Sequence, residues 1–205
     1  MTDDDNPAAL VEHRNEWAIT AAALLADARD AIAGLAGAAT AALDHIGSTA
    51  VPGLAAKPFI DLQIRISPLP DERELMARLE PRGYVRARGS RPDSPGVDRD
   101  LPRGSAEVDP AVWEKRLYWH EDARAILHVR RLDSPWGRYT VWFRDWLRAH
   151  PAERDRYADL KRALSAQQVG KADYDDYTRA KTVFFDEVQV AFEAWAAERD
   201  RSTRE

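Results

Sequence analysis

The sequence predicts an α+β fold, on three observations. An Ala-rich stretch with helical spacing comes first, apolar alternation of period two dominates the middle, and helical spacing alone fills the last third. All 205 residues read as one domain, with an N-terminal helix within 8–40, a mixed-sheet core over 41–132 and C-terminal helices over 133–201. From Glu12 to Ala39, Trp17, Leu24, Leu25, Ile32 and Leu35 recur at helical intervals, and the helix frays at Gly34 and Gly37. Ala42 to Ile46 predicts a short strand that stops at Gly47, and the turn from Ser48 to Pro58 holds a single helical turn. Phe59 to Ile66 is the clearest strand: Ile60, Leu62, Ile64 and Ile66 point one way, and Asp61, Gln63 and Arg65 point the other.

Ser67-Pro68-Leu69-Pro70-Asp71 caps a predicted helix from Glu72 to Glu80, which Pro81-Arg82-Gly83 ends. With a strand over Gly83 to Ala87 this makes a crossover unit. Arg88 to Pro110 has no apolar period and reads as a long loop. Trp113 to His120 and Ala125 to Leu132 read as a hairpin. Its alternation puts Glu114, Arg116, Tyr118 and His120 on one face of the first strand and Ile126, His128 and Arg130 on one face of the second. Helices follow over Trp136 to Ala149, from Pro151 through Leu164, and as one long segment from Lys171 to Arg201. The aromatic positions Trp142, Trp146, Phe184, Phe185 and Trp195 are expected in the core.

Composition narrows the function. A net charge of −5 argues against dedicated nucleic-acid binding. Cysteine is absent, which excludes disulfides and thiolate metal sites. The acidic start Met1-Thr2-Asp3-Asp4-Asp5 does not resemble a signal peptide, and no apolar run approaches the roughly 20 residues that span a bilayer. A soluble, cytoplasmic protein without membrane contact is expected. Arginine heavily outnumbers lysine, so each lysine is informative by position.

The segment His45-Ile46-Gly47-Ser48 to Asp61 carries the chemistry. A Gly-Ser turn at a strand end lets backbone N–H groups and a hydroxyl reach a phosphate, and the next strand lifts a carboxylate on its polar face. Such a carboxylate calls for a metal, a cation or solvent. Three blocks resemble the GrpB family, small bacterial proteins also found fused behind dephospho-CoA kinase. They are His45 through Asp61; Leu127-His128-Val129; and Phe143-Arg144-Asp145-Trp146-Leu147-Arg148-Ala149-His150-Pro151, continued by Tyr157, Leu160-Lys161, Tyr177 and Lys181. The resemblance implies a nucleotidyltransferase-like mixed sheet whose strand carboxylates bind Mg²⁺ and direct nucleotide transfer.

The chain departs from that pattern at Asp61-Leu62-Gln63, where a second acidic residue is expected, and at His128, where a third is expected. Around Asp61 the expected same-face residues are Gln63, Arg65, Arg116, His120, His128 and Arg130, a cationic surface that favours an anionic ligand. Glu107, Asp109 or Glu114 would restore a second carboxylate if the long loop folds back. The leading expectation is an enzyme that uses a nucleoside triphosphate and Mg²⁺ on a small acceptor. Asp61 would ligate the metal, and His128 would position or deprotonate the acceptor. His45, Gly47, Ser48, Lys57, Arg144, Lys161, Tyr177 and Lys181 would form the phosphate or nucleotide site. The alternative is a non-catalytic module that binds a nucleotide or phosphorylated metabolite at a degenerate metal site.

Overall fold

The computed structural model describes residues 6–89, 94, 96–102 and 108–202. Five strands form one mixed sheet: β1 (Ala42–Ile46), β2 (Ile60–Ile66), β3 (Tyr84–Arg86), β4 (Lys115–His120) and β5 (Ala125–Arg131). Their spatial order is β1-β2-β5-β4-β3. β2 and β5 run parallel at the centre and the other pairs are antiparallel. The described residues also form six α-helices: α1 (Glu16–Ile32), α2 (Glu72–Leu79), α3 (Pro135–Ala149), α4 (Pro151–Ala166), α5 (Asp175–Ala180) and α6 (Thr182–Ser202). The expected α+β architecture, with a helix before the sheet and helices after it, is present.

α1 and α2 cover one face of the sheet. There Ile60, Leu62, Ile64, Ile66, Leu127 and Val129 meet Trp17, Ala28, Ile32, Leu75 and Leu79, with Tyr84 and Tyr118 fully buried among them. Each such aliphatic side chain contributes about 1.5–3 kcal/mol by leaving water. The C-terminal helices build a second core beyond the other face, from Val51, Leu54, Trp146, Leu147, Tyr157, Phe184, Val188 and Phe192.

Two helix boundaries differ from expectation for tertiary reasons. α1 begins at Glu16 rather than Glu12 because Val11 exchanges backbone hydrogen bonds with Ala56, both at 2.9 Å, and so continues the chain as a brace on the turn. It ends at Ile32, and Gly34 and Gly37 take left-handed conformations. The single helix expected from Lys171 is two, broken at Lys181, where the Thr182 hydroxyl donates to the Arg179 carbonyl and competes with the helical ladder. The crossover from β2 through α2 to β3 exists, but it passes over β5 and β4 to the far edge of the sheet.

α3 positions the second layer. Pro135 opens it, Ser134 Oγ accepts from the Gly137 N–H at 3.2 Å, and the Gly137 carbonyl accepts from Gln63 Nε2 at 2.9 Å. Gly137 permits this approach, since a Cβ there would stand 2.9 Å from Arg65 Cδ. No helix among the described residues is long and apolar enough to cross a membrane.

Candidate functional site

A cleft of about 1500 Å³ lies between the sheet and α5–α6. Ser48, Lys57, Asp61, His128, Lys161, Tyr177 and Lys181 all line it, so the structure brings seven of the expected residues together. Register decides which strand residues face it. Asp61 pairs with Ile126, Gln63 with His128 and Arg65 with Arg130 across β2–β5, and Lys115 pairs with Arg130 and Leu117 with His128 across β4–β5. The face of β4 toward the cleft is therefore Lys115 and Leu117, not Arg116, Tyr118 and His120. The phase is set by Tyr118, which is fully buried in the α1–α2 core and carries its alternate neighbours to that side.

Gly47 sits directly behind the Asp61 carboxylate. Its φ of 71° and ψ of −170° lie in a region essentially confined to glycine, and a Cβ there would be 2.3 Å from Asp61 Oδ2. Gly47→Ala is expected to cost about 2–3 kcal/mol in urea unfolding. Gly34→Ala, at φ 84° with nothing within 4 Å, should cost about 1 kcal/mol. Equal losses at the two sites would show that contact with Asp61 contributes nothing.

Around Asp61 the charges are basic. Burial pushes its carboxyl up, opposed by Lys181, Lys57, Arg130 and Lys115 in that order, although 31% of its side-chain surface remains accessible. Lys57 Nζ stands 3.1 Å from the centroid of the Tyr174 ring, with Phe59 and Tyr177 further out. Burial and then Lys181 lower its pKa to about 7, against Asp61 and Asp175. Lys181 lies over the Tyr177 ring at 4.9 Å; burial lowers its pKa and Asp61 opposes. Lys161 is 1% exposed and donates to the Ala55 carbonyl, so it pins the turn while lining the cleft. Burial, Lys181 and Arg162 hold its pKa well below the usual lysine range.

The floor beside Asp61 is a buried ionic network in which the expected Gln63, His128 and Arg130 meet Asp100 and Lys115, two residues not among those expected there. Arg130 donates to Asp100 through Nε at 2.7 Å and Nη2 at 3.0 Å, and to Gln63 Oε1 at 2.9 Å. Lys115 Nζ is 3.2 Å from Asp100 Oδ1, and all three charged side chains are 2% exposed. Burial pushes the Asp100 carboxyl up, but Arg130 and Lys115 with their hydrogen bonds outweigh it and hold it low. Burial and Arg130 lower Lys115 to about 8. Both cations also meet His128 Nδ1, Lys115 at 3.1 Å and Arg130 at 3.3 Å. Asp100 left no sequence signal because it stands in a stretch without period. Lys115 was legible as one of the chain's five lysines.

Several expected site residues lie elsewhere. His45 pairs with Leu62 and so faces α1, where Nε2 bonds Thr49 Oγ1 at 3.0 Å; burial, then Arg148 and Arg144, lower its pKa to about 4. Arg144 does not line the cleft; it donates to the His45 carbonyl at 2.8 Å and pairs with Asp145, bracing the strand end ahead of Gly47. Arg65 pairs with Asp44 beneath α3, and Arg116 reaches toward Glu72 on the opposite face. Of the three loop carboxylates, Asp109 accepts from the Ala111 N–H, Glu114 pairs with Arg99, and Glu107 lies outside the described residues.

Fold and cleft together define an α+β protein with a lysine-lined pocket between a five-stranded mixed sheet and its C-terminal helices. The profile of the family described as GrpB protein matches residues 7–190, and the chain belongs to that family. It is 34% identical over 161 residues to a dephospho-CoA kinase of Mycolicibacterium paratuberculosis, covering 75% of this chain and 39% of that protein. It is 36% identical over 139 residues to a UPF0157 protein of Pseudomonas aeruginosa, covering 68% and 50%. The crystal structure of conserved protein GrpB from Enterococcus faecalis shares the fold at a TM-score of 0.61 and 20% identity, covering 88% of this chain and 99% of that one. Among the first curated relatives the chain spans 36% to 64% of their length.

Proposed function

We propose that the cleft binds a phosphorylated small molecule of nucleotide type without a protein-held metal. One observation carries this reading: four of the chain's five lysines, Lys57, Lys115, Lys161 and Lys181, line that one cleft in a protein otherwise dominated by arginine. Amines drawn together in a partly enclosed site, their pKa values lowered by burial and by one another, favour an anion with several charged oxygens that stabilises their charged forms. The relatives named dephospho-CoA kinase support a ligand that carries a nucleotide.

The described side chains offer Mg²⁺ the Asp61 carboxylate beside the Gly-Ser turn, and so no cage that would hold the ion without ligand phosphates. Mg²⁺ demands near-octahedral oxygen ligands and is usually held by one or two carboxylates together with substrate phosphates. Among the described residues no three His, Asp or Glu side chains converge as metal ligands. Gln63 spends its carbonyl oxygen on Arg130 and Thr140 and its amide on Gly137, and Asp100 is committed to Arg130 and Lys115. The lysines supply near Asp61 the positive charge that a metal would otherwise provide.

A second reading, a Mg²⁺-dependent nucleotidyl transfer, is favoured by the contact of Gly47 with Asp61, which places a phosphate-type turn against a carboxylate. Asp61→Asn separates the two with opposite signs. In a metal-free anion cleft the isosteric amide removes a repelling charge, so ATP affinity measured by calorimetry should rise about threefold to tenfold. A metal-dependent site would lose ATP binding in the same variant, and that loss would sink the metal-free reading.

A further inference from the structure

The hydrogen bonds at His128 fix what that residue can do. An imidazole Nδ1 offers one in-plane lone pair when bare and one N–H when protonated. Here Nδ1 faces Arg130 Nη2 at 3.3 Å and Lys115 Nζ at 3.1 Å. Arg130 has no acceptor capacity and keeps its charge, so Nδ1 must accept, and the neutral ring carries its proton on Nε2. Asp100 anchors both donors from the other side, so neither swings away freely. Burial, then Lys115 and Arg130, also hold the ring's pKa well below the ordinary histidine range, which keeps it neutral.

Nε2 faces the other way. Its nearest acidic partner among the described residues is Asp61 Oδ1 at 3.7 Å, beyond hydrogen-bond reach, and the side chain retains 16% exposure on the cleft wall. We propose that His128 is locked as the neutral Nε2–H tautomer and presents that N–H to an unprotonated anionic oxygen of the ligand, with Arg130 and Lys115 as its positioning residues. The donor role rests on the cleft reading above; the tautomer does not. His128 then has no lone pair toward the cleft and cannot take a proton from an acceptor, contrary to the expectation from the sequence. It selects for oxygens that only accept, and against a hydroxyl that must donate at the same point.

The test uses the full chain labelled with ¹⁵N-histidine, with the His128 signals assigned by their loss in His128→Gln. From about pH 5.5 to 8 the spectrum should show a bare Nδ1 and a protonated Nε2, and inorganic pyrophosphate should shift the Nε2–H resonance. In calorimetry His128→Gln, which still donates, should bind pyrophosphate within about threefold of wild type, and His128→Leu about tenfold more weakly. An Nδ1–H tautomer or an imidazolium near neutrality would overturn the proposal. So would pyrophosphate binding that leaves Nε2–H unmoved and His128→Leu unaffected. Absence of pyrophosphate binding by the wild type would overturn the cleft reading and the donor role together, with the tautomer still read from the spectrum.

Discussion

Arg130→Met is expected to lower stability by about 3–5 kcal/mol, the cost of leaving a buried charge without its partner. Arg130 gives Asp100 two hydrogen bonds, holds Gln63 Oε1, and contacts His128, so its removal strands a carboxylate that is 2% exposed with Lys115 alone. Methionine keeps much of the stem volume, so the loss reports charge and hydrogen bonding more than a cavity. Urea unfolding followed by near-ultraviolet circular dichroism measures it. Arg162→Met serves as the control: that side chain is half exposed and pairs with Asp159 and Glu12 at the surface, so it should stay within about 0.5 kcal/mol of wild type. A loss at Arg130 no larger than at Arg162 would mean that the network under the cleft floor is not what holds residues 96–102 to the sheet.

The second large effect concerns binding. Lys57→Met combined with Lys181→Met is expected to weaken pyrophosphate binding at least 100-fold, about tenfold for each charge-assisted contact. The single Lys57→Met variant should also change the pH profile. With its pKa lowered to about 7, Lys57 in the free protein is charged below neutrality and increasingly neutral above it. A bound anion stabilises the charged amine, so above pH 7 binding must take up a proton. Wild-type affinity should therefore fall as pH rises past 7, approaching about tenfold per unit, and Lys57→Met should flatten that slope. Sulfate, which does not titrate in this range, separates the protein's proton from the ligand's. An unchanged slope in Lys57→Met would assign the titration to another group.

Much of the fold was legible because local pattern and tertiary role agree. β2 alternates cleanly because one face is the α1–α2 core, and Pro151 marks the start of α4. The Ala-rich pattern runs on toward Glu12, ahead of the true start at Glu16, because nothing local reveals that Val11 is recruited by Ala56. The phase of β4 is hidden in Lys115-Arg116-Leu117-Tyr118-Trp119-His120 because each alternation carries bulky residues able to be buried, Leu117 and Trp119 on one and Tyr118 on the other, and only the burial of Tyr118 decides it. The opposite phase puts Arg116 and His120, rather than Lys115, among the residues expected on the face of Asp61. Asp100 was invisible for a different reason: it acts through a loop whose path no periodicity encodes. The block from His45 to Asp61 places its Gly-Ser turn, Lys57 and Asp61 at one cleft, but His45 and Arg144 serve the backbone around that turn instead of facing the ligand space.

The most direct measurement of the central claim is calorimetry of the wild-type protein with ATP, once in EDTA and once in excess Mg²⁺. Lysines that occupy the role of a metal predict binding in EDTA, with affinity equal to or greater than that in Mg²⁺, since the ion only screens the phosphates. Binding that disappears in EDTA and returns with Mg²⁺ would contradict the account and restore a metal to Asp61.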